Sequence, residues 1–137
     1  MTGLKYLLIV SLFISPFFIS QKRSFSEVEL INAMKNSSKN DIDQIIRFNQ
    51  LATQKNYKKA ELLSSIALQK YYLDKNNYPL SFHYSQKAET VATQLSDDQS
   101  MSQVLKERGK LNIILESLNQ ADQDLRSAIK YANKVKD

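Results

Sequence analysis

Residues 96–128, SDDQSMSQVLKERGKLNIILESLNQADQDLRSA, decide the fold. Ser96 and Gln99 have capping-box spacing, and Met101, Val104, Leu105, Leu111 and Ile114 then recur at helical intervals to about Leu115. Glu116-Ser117-Leu118 reads as a turn into a second helix that ends near Val135. Along it, Ala121, Leu125 and Ala128 are small, large and small. Gly109 lies inside the first of these helices. A glycine there costs about 1 kcal/mol relative to Ala, so a close approach by the neighbouring helix is the natural reason to keep it.

The same pattern extends towards the N-terminus. Displacing the chain by forty residues aligns Ala52, Ala92 and Ala132, Ala88 with Ala128, Lys70 with Lys110, and Asp97 with Asp137. The shift also sets Tyr71 on Leu111, Leu73 on Ile113, Tyr78 on Leu118, Ser81 on Ala121 and Leu95 on Val135. Identities are few, but small residues recur where two helices must approach and large ones at the turn. Pro79 is expected at the first position of a helix running to Leu95, after an Asn76-Asn77-Tyr78 turn. Before that turn a helix from Lys58 to about Lys75 carries Ala60, Leu63, Ala67 and Tyr71 on one face. Asn56-Tyr57 separates it from a helix capped by Asn40, whose stripe is Ile42, Ile45, Ile46, Leu51 and Ala52. A capping box at Ser26 and Glu29 opens a short helix to about Lys35. Linkers this short make sequence neighbours antiparallel, so the fold class is all-α.

Composition agrees. The 137 residues hold two glycines and two prolines, and Gly3 and Pro16 both fall in the first twenty. Strand-rich folds and glycine-rich phosphate loops need more. Without cysteine, disulfides, thiolate metal sites and thiol catalysis are excluded. The single histidine, His83, gives no His-pair metal site and sits in a helix between Phe82 and Tyr84. No metalloprotease, nucleophile-elbow or Walker sequence is present. Asp41/Asp43, Asp97/Asp98 and Asp122/Asp124 lie near helix starts, where they favour the dipole. The expectation is a protein that is not an enzyme and holds no metal or cofactor.

Net charge is +5, and all but Lys5 of the charged residues lie beyond residue 20. Residues 1–20 have a short positive start, an apolar run from Tyr6 to Ser15 and a Pro16 break. This is the layout of an export signal, too short and interrupted to span a bilayer. A cut after Ser20 gives a periplasmic or extracellular chain starting at Gln21; an uncleaved segment 6–20 would anchor it to a membrane instead. Asn36-Ser37-Ser38 matches a glycosylation sequon but reads as a polar inter-helix turn.

Leu118-Asn-Gln-Ala121-Asp-Gln-Asp-Leu125-Arg-Ser-Ala128, with Gly109 in the preceding helix, resembles the tetratricopeptide repeat family in a long variant of about forty residues. Leu68, Tyr72, Tyr78, Ser81 and Ala88 give the preceding unit. Ser65, Gln69, Ser85, Arg108, Asn112 and Asn133 depart from the family's usual residues. The resemblance implies a short right-handed superhelix of antiparallel hairpins (an α-solenoid) over residues 57–137, with residues 21–56 as a degenerate leading unit. It also implies a peptide groove lined by Ile66, Lys70 and Leu73 in one unit and Gln103, Lys106, Lys110 and Ile113 in the next, suited to an acidic segment. Tyr71, Tyr72, Tyr78, Phe82 and Tyr84 are read as core of the central hairpin in preference to a nucleic-acid stacking surface.

Two functions fit: an exported scaffold that binds a protein or peptide, or the extracytoplasmic sensing part of a bacterial sensor kinase or transcription regulator. A last helix without a polar cap also predicts self-association.

Overall fold

The computed structural model describes residues 25–37 and 41–136. The expected export signal, Ser38 of the sequon and the Asn40 cap lie outside the described residues. Those described form six helices and no strand: α1 (Glu27–Asn36), α2 (Ile42–Lys55), α3 (Lys58–Asp74), α4 (Tyr78–Leu95), α5 (Asp98–Ile114) and α6 (Leu118–Lys134). None is long and apolar enough to cross a membrane.

From α3 onward the helices start every twenty residues, and one local device sets the interval. Asn56, Asn76, Ser96 and Glu116 all adopt left-handed backbone, with φ between 50° and 58°. The residue after each donates its N–H back to the carbonyl five earlier: Tyr57 to Ala52, Asn77 to Tyr72, Asp97 to Ala92 and Ser117 to Asn112, at 2.8–2.9 Å. This is the Schellman closure, which satisfies carbonyls that a helix end leaves unpaired. The next helix begins directly after that residue. Non-glycine residues in this conformation cost about 1–2 kcal/mol. Asn tolerates it best; Glu116 has no such excuse. Glu116→Gly is therefore expected to raise stability by about 1 kcal/mol, read as a higher urea midpoint at unchanged slope. A lowered midpoint would contradict the turn geometry.

Three helix starts differ from the sequence reading. Asp41 caps α2 by accepting from the Gln44 N–H, one residue beyond the expected cap. Asp97, not Ser96, caps α5, because Ser96 is consumed by the left-handed closure of α4. Burial opposes charge on Asp97, but hydrogen bonds from Lys59 and Ser100 outweigh it and hold the carboxyl below its usual range. Pro79 is the second residue of α4, still in the first turn, where a missing N–H is harmless. The α3 start, which lacks a side-chain cap of its own, is served from α1: Glu27 accepts from the N–H groups of Lys59 and Ala60 at 2.7 and 3.1 Å.

Consecutive helices are antiparallel. Between α5 and α6, contacts run from Asn112–Asp124 near the turn to Ser102–Ala128 far from it. The odd helices also touch one another, α1 with α3 and α3 with α5. Leu62, Ile66, Val91, Met101, Val104 and Leu105 form the main core with Ala88, Ala92 and Ala128; Leu30, Ala52 and Ala60 form a smaller one under α1 and α2. The recurrent small residues are buried where helices cross, except Ala132, which is half-buried. A Cβ built on Gly109 would stand 2.7 Å from Cγ and Cδ2 of Leu125, so the glycine does mark a close crossing. On α3, however, Leu63, Ala67 and Tyr71 are only half-buried, while Leu62, Ser65, Leu68 and Gln69 are fully covered. Packed against α2, α4 and α5, α3 buries more than one face, and a single-stripe reading misses that.

Candidate functional site

The face built by α3 and α5 holds the residues expected to line a groove. Gln103, Lys106, Lys110 and Ile113 are exposed and one or two turns apart on α5, and Lys70 is exposed on α3. Ile66 and Leu73 do not join them. They are 6% and 7% exposed, and Ile66 belongs to the main core. The groove reading placed them by analogy with α5, but α3 is flanked by α1 and α5 together and spends its apolar side chains on packing. The lysines are also less available than their sequence suggests. Glu107, buried between them, holds the Lys110 ammonium at 3.0 Å from both carboxylate oxygens and lies 3.9 Å from that of Lys106. The face stays positive, but Lys70 and Lys106 carry most of its free charge.

Ser65, Gln69, Arg108 and Asn112 take part in polar contacts between helices inside the molecule. Asp124 accepts from Arg108 Nε and Nη2 at 3.0 and 2.8 Å and from Asn112 Nδ2 at 2.8 Å, and Arg108 also pairs with Glu89 of α4. Hydrogen bonding to Asp124 raises the Arg108 pKa, against an opposing effect of burial and with help from Glu89. One repeat earlier, the slots of Asn112 and Asp124 hold Tyr72 and Tyr84, whose rings stack 5.7 Å apart. A second set joins α2, α3 and α4. Asn49 donates to the Ser64 and Ser65 hydroxyls at 2.8 and 2.9 Å, while Lys87 reaches Asn49 Oδ1 and Thr53 Oγ1 at 2.7 and 2.8 Å. Between α3 and α5, Gln69 donates to the Val104 carbonyl at 3.0 Å. Such pairs fix helix register.

The aromatic residues split. Tyr71, Tyr72, Tyr78 and Tyr84 are half-buried and lie outside both core clusters, in place of the hairpin core expected of them, and Phe82 is 42% exposed and His83 is exposed. His83 lies edge-on to Tyr84. No group of metal-ligating side chains is assembled among the described residues.

One feature escaped the sequence reading. Ile113, Ile114, Leu115 and Leu118 form a consecutive exposed apolar rim at the α5–α6 turn. The forty-residue shift carries the signal: the slots of Ile114 and Leu115 hold exposed Asp74 and Lys75 one repeat earlier. The chain matches no family model, no curated protein and no solved structure.

Proposed function

We propose that this protein is an exported, non-catalytic scaffold of the tetratricopeptide type, a short right-handed stack of helical hairpins that binds an extended or helical protein segment. What supports this most is the twenty-residue interval of helix starts combined with contact between odd helices. That arrangement leaves one side of α5 lined by Gln103, Lys106, Lys110 and Ile113, with Lys70 beside it. Mixed lysine and apolar character suits an acidic amphipathic segment.

Selection of a displayed random-peptide library on the full chain tests the reading. Peptides rich in Asp and Glu should be enriched, and Lys70→Glu with Lys106→Glu should weaken them at least about tenfold, or 1.4 kcal/mol. Lys110 is left unchanged, because a carboxylate there would face buried Glu107 and disturb the fold. No enrichment, or unchanged affinity in the double variant, would refute the groove.

A further inference from the structure

We infer that the lysine face continues onto α1 as a row, Lys35, Lys70 and Lys106, that binds an extended acidic segment with a carboxylate at every third residue. This rests on the scaffold reading above and specifies which segment the groove takes.

The row follows from how the odd helices are held. The Tyr57 hydroxyl donates to the Phe25 carbonyl, and Glu27 accepts from the Lys59 and Ala60 N–H groups, so α1 runs parallel to α3 with Glu27 beside Lys59. Lys59 in turn pairs with Asp97, and Gln69 reaches the Val104 carbonyl, so α3 and α5 are parallel too. Carried along the helices, these contacts set Lys35 level with Ala67 and Lys70 level with Lys106. The three lysines therefore project from within about one turn of the same height, on axes about 8–10 Å apart. Lys35 belongs to the same face. Glu27 marks the α3 side of α1, and Leu30, about 60° round from it, is buried in one cluster with Ala52 of α2 and Ala60 of α3. Lys35 lies about 80° round in the opposite sense, away from α2, and is exposed.

These charges are available. Neither Lys35 nor Lys70 has an ion pair among the described residues, and Lys106 comes no nearer than 3.9 Å to Glu107, which closes on Lys110 instead. The floor of the row selects the conformation of the ligand. Ile66 and Leu73 are buried, and Leu63 and Ala67 beside Lys70 are half-buried. Val28 and Ile113 are exposed but stand about two turns from Lys35 and Lys106, towards opposite ends. A docked amphipathic helix needs an apolar groove for its own apolar face, and this row does not supply one. Polyproline II needs none, because its backbone stays hydrated. It has three residues per turn and rises about 3.1 Å per residue, so every third side chain lines one edge at about the spacing of the helices.

Fluorescence anisotropy on the full chain at low ionic strength tests the row, with labelled (Glu-Pro-Pro)3 and its isomer Glu3Pro6. Carboxylates at the helix interval should bind about fivefold tighter than three in succession, because the isomer reaches fewer lysines. Lys35→Gln should remove most of that preference with unchanged helical circular dichroism, since the side chain is exposed. A helical peptide with three Glu seven residues apart, about 10.5 Å along its axis, and an oligothymidylate of equal charge should both bind more weakly than (Glu-Pro-Pro)3. Tighter binding of either, equal binding of the two proline peptides, or an unaltered preference in Lys35→Gln would overturn the row and leave the groove of Lys70 and Lys106 standing. If no acidic peptide binds, groove and row fall together.

Discussion

Asp124→Ala is expected to destabilise the protein by about 3–5 kcal/mol, the larger of two effects that follow from the α5–α6 seam. The Asp124 side chain is 3% and that of Arg108 13% exposed, so the pair is held away from water. Removing the carboxylate deletes three hydrogen bonds at once. It leaves the Arg108 guanidinium with Glu89 alone and the Asn112 amide without its acceptor. Breaking a buried pair from one side is costly because the surviving charge has lost its solvation as well as its partner. Urea unfolding followed by circular dichroism should show the loss as a lower midpoint at unchanged slope. The preceding repeat suggests a rescue. Arg108→Leu, Asn112→Tyr and Asp124→Tyr together copy Leu68, Tyr72 and Tyr84, and should recover most of the stability. A loss below about 1 kcal/mol for the single variant would mean that the carboxylate is solvated and the seam is not closed.

Gly109→Val is expected to cost about 3 kcal/mol. The first added carbon already meets Leu125 at 2.7 Å, and the Ala121 carbonyl oxygen is 3.6 Å away. Leu125 would have to leave its rotamer or α6 would have to shift outward, and valine adds two further methyls. Gly109→Ala serves as the calibrating variant. Its gain of about 1 kcal/mol in helix propensity offsets part of the clash, so it should fall between wild type and valine. Adding Leu125→Ala to the valine variant should restore much of the loss, a coupling expected of side chains in direct contact. A valine variant as stable as wild type would place Gly109 beside open space.

The helices were legible because their punctuation is local. Capping residues, Pro79 and the short turn sequences give all six helix starts to within a residue, and Gly109 predicted a close crossing that the structure contains. Cap identity was less legible at 96–97, because the same residues end one helix and begin the next. Two polar roles competed there, and the left-handed closure took Ser96. The turns themselves carry no glycine, so their common conformation at Asn56, Asn76, Ser96 and Glu116 shows only in the backbone.

Site residues were harder to read for a different reason. Repeat equivalence places Ile66 and Leu73 with Lys106 and Ile113, but equivalence of position is not equivalence of surroundings. Among the described residues α3 touches an odd helix on each side, α1 and α5, and α5 touches α3. The departures at Ser65, Gln69, Arg108 and Asn112 looked like a weaker match to the pattern. Three of them are buried, Arg108 is nearly so, and all four hold hydrogen bonds between helices, information that appears only when the partner helix is present.

Everything rests on hairpins that close at a fixed interval, with α5 and α6 nearly touching at one residue. Nuclear Overhauser spectroscopy addresses this directly, because the chain has only two glycines and the Gly109 α-proton pair can be singled out. Strong cross-peaks from those protons to the Leu125 methyl groups are expected. Cross-peaks from Gly109 confined to its own helix, with none to α6, would contradict the close crossing and the repeat built on it.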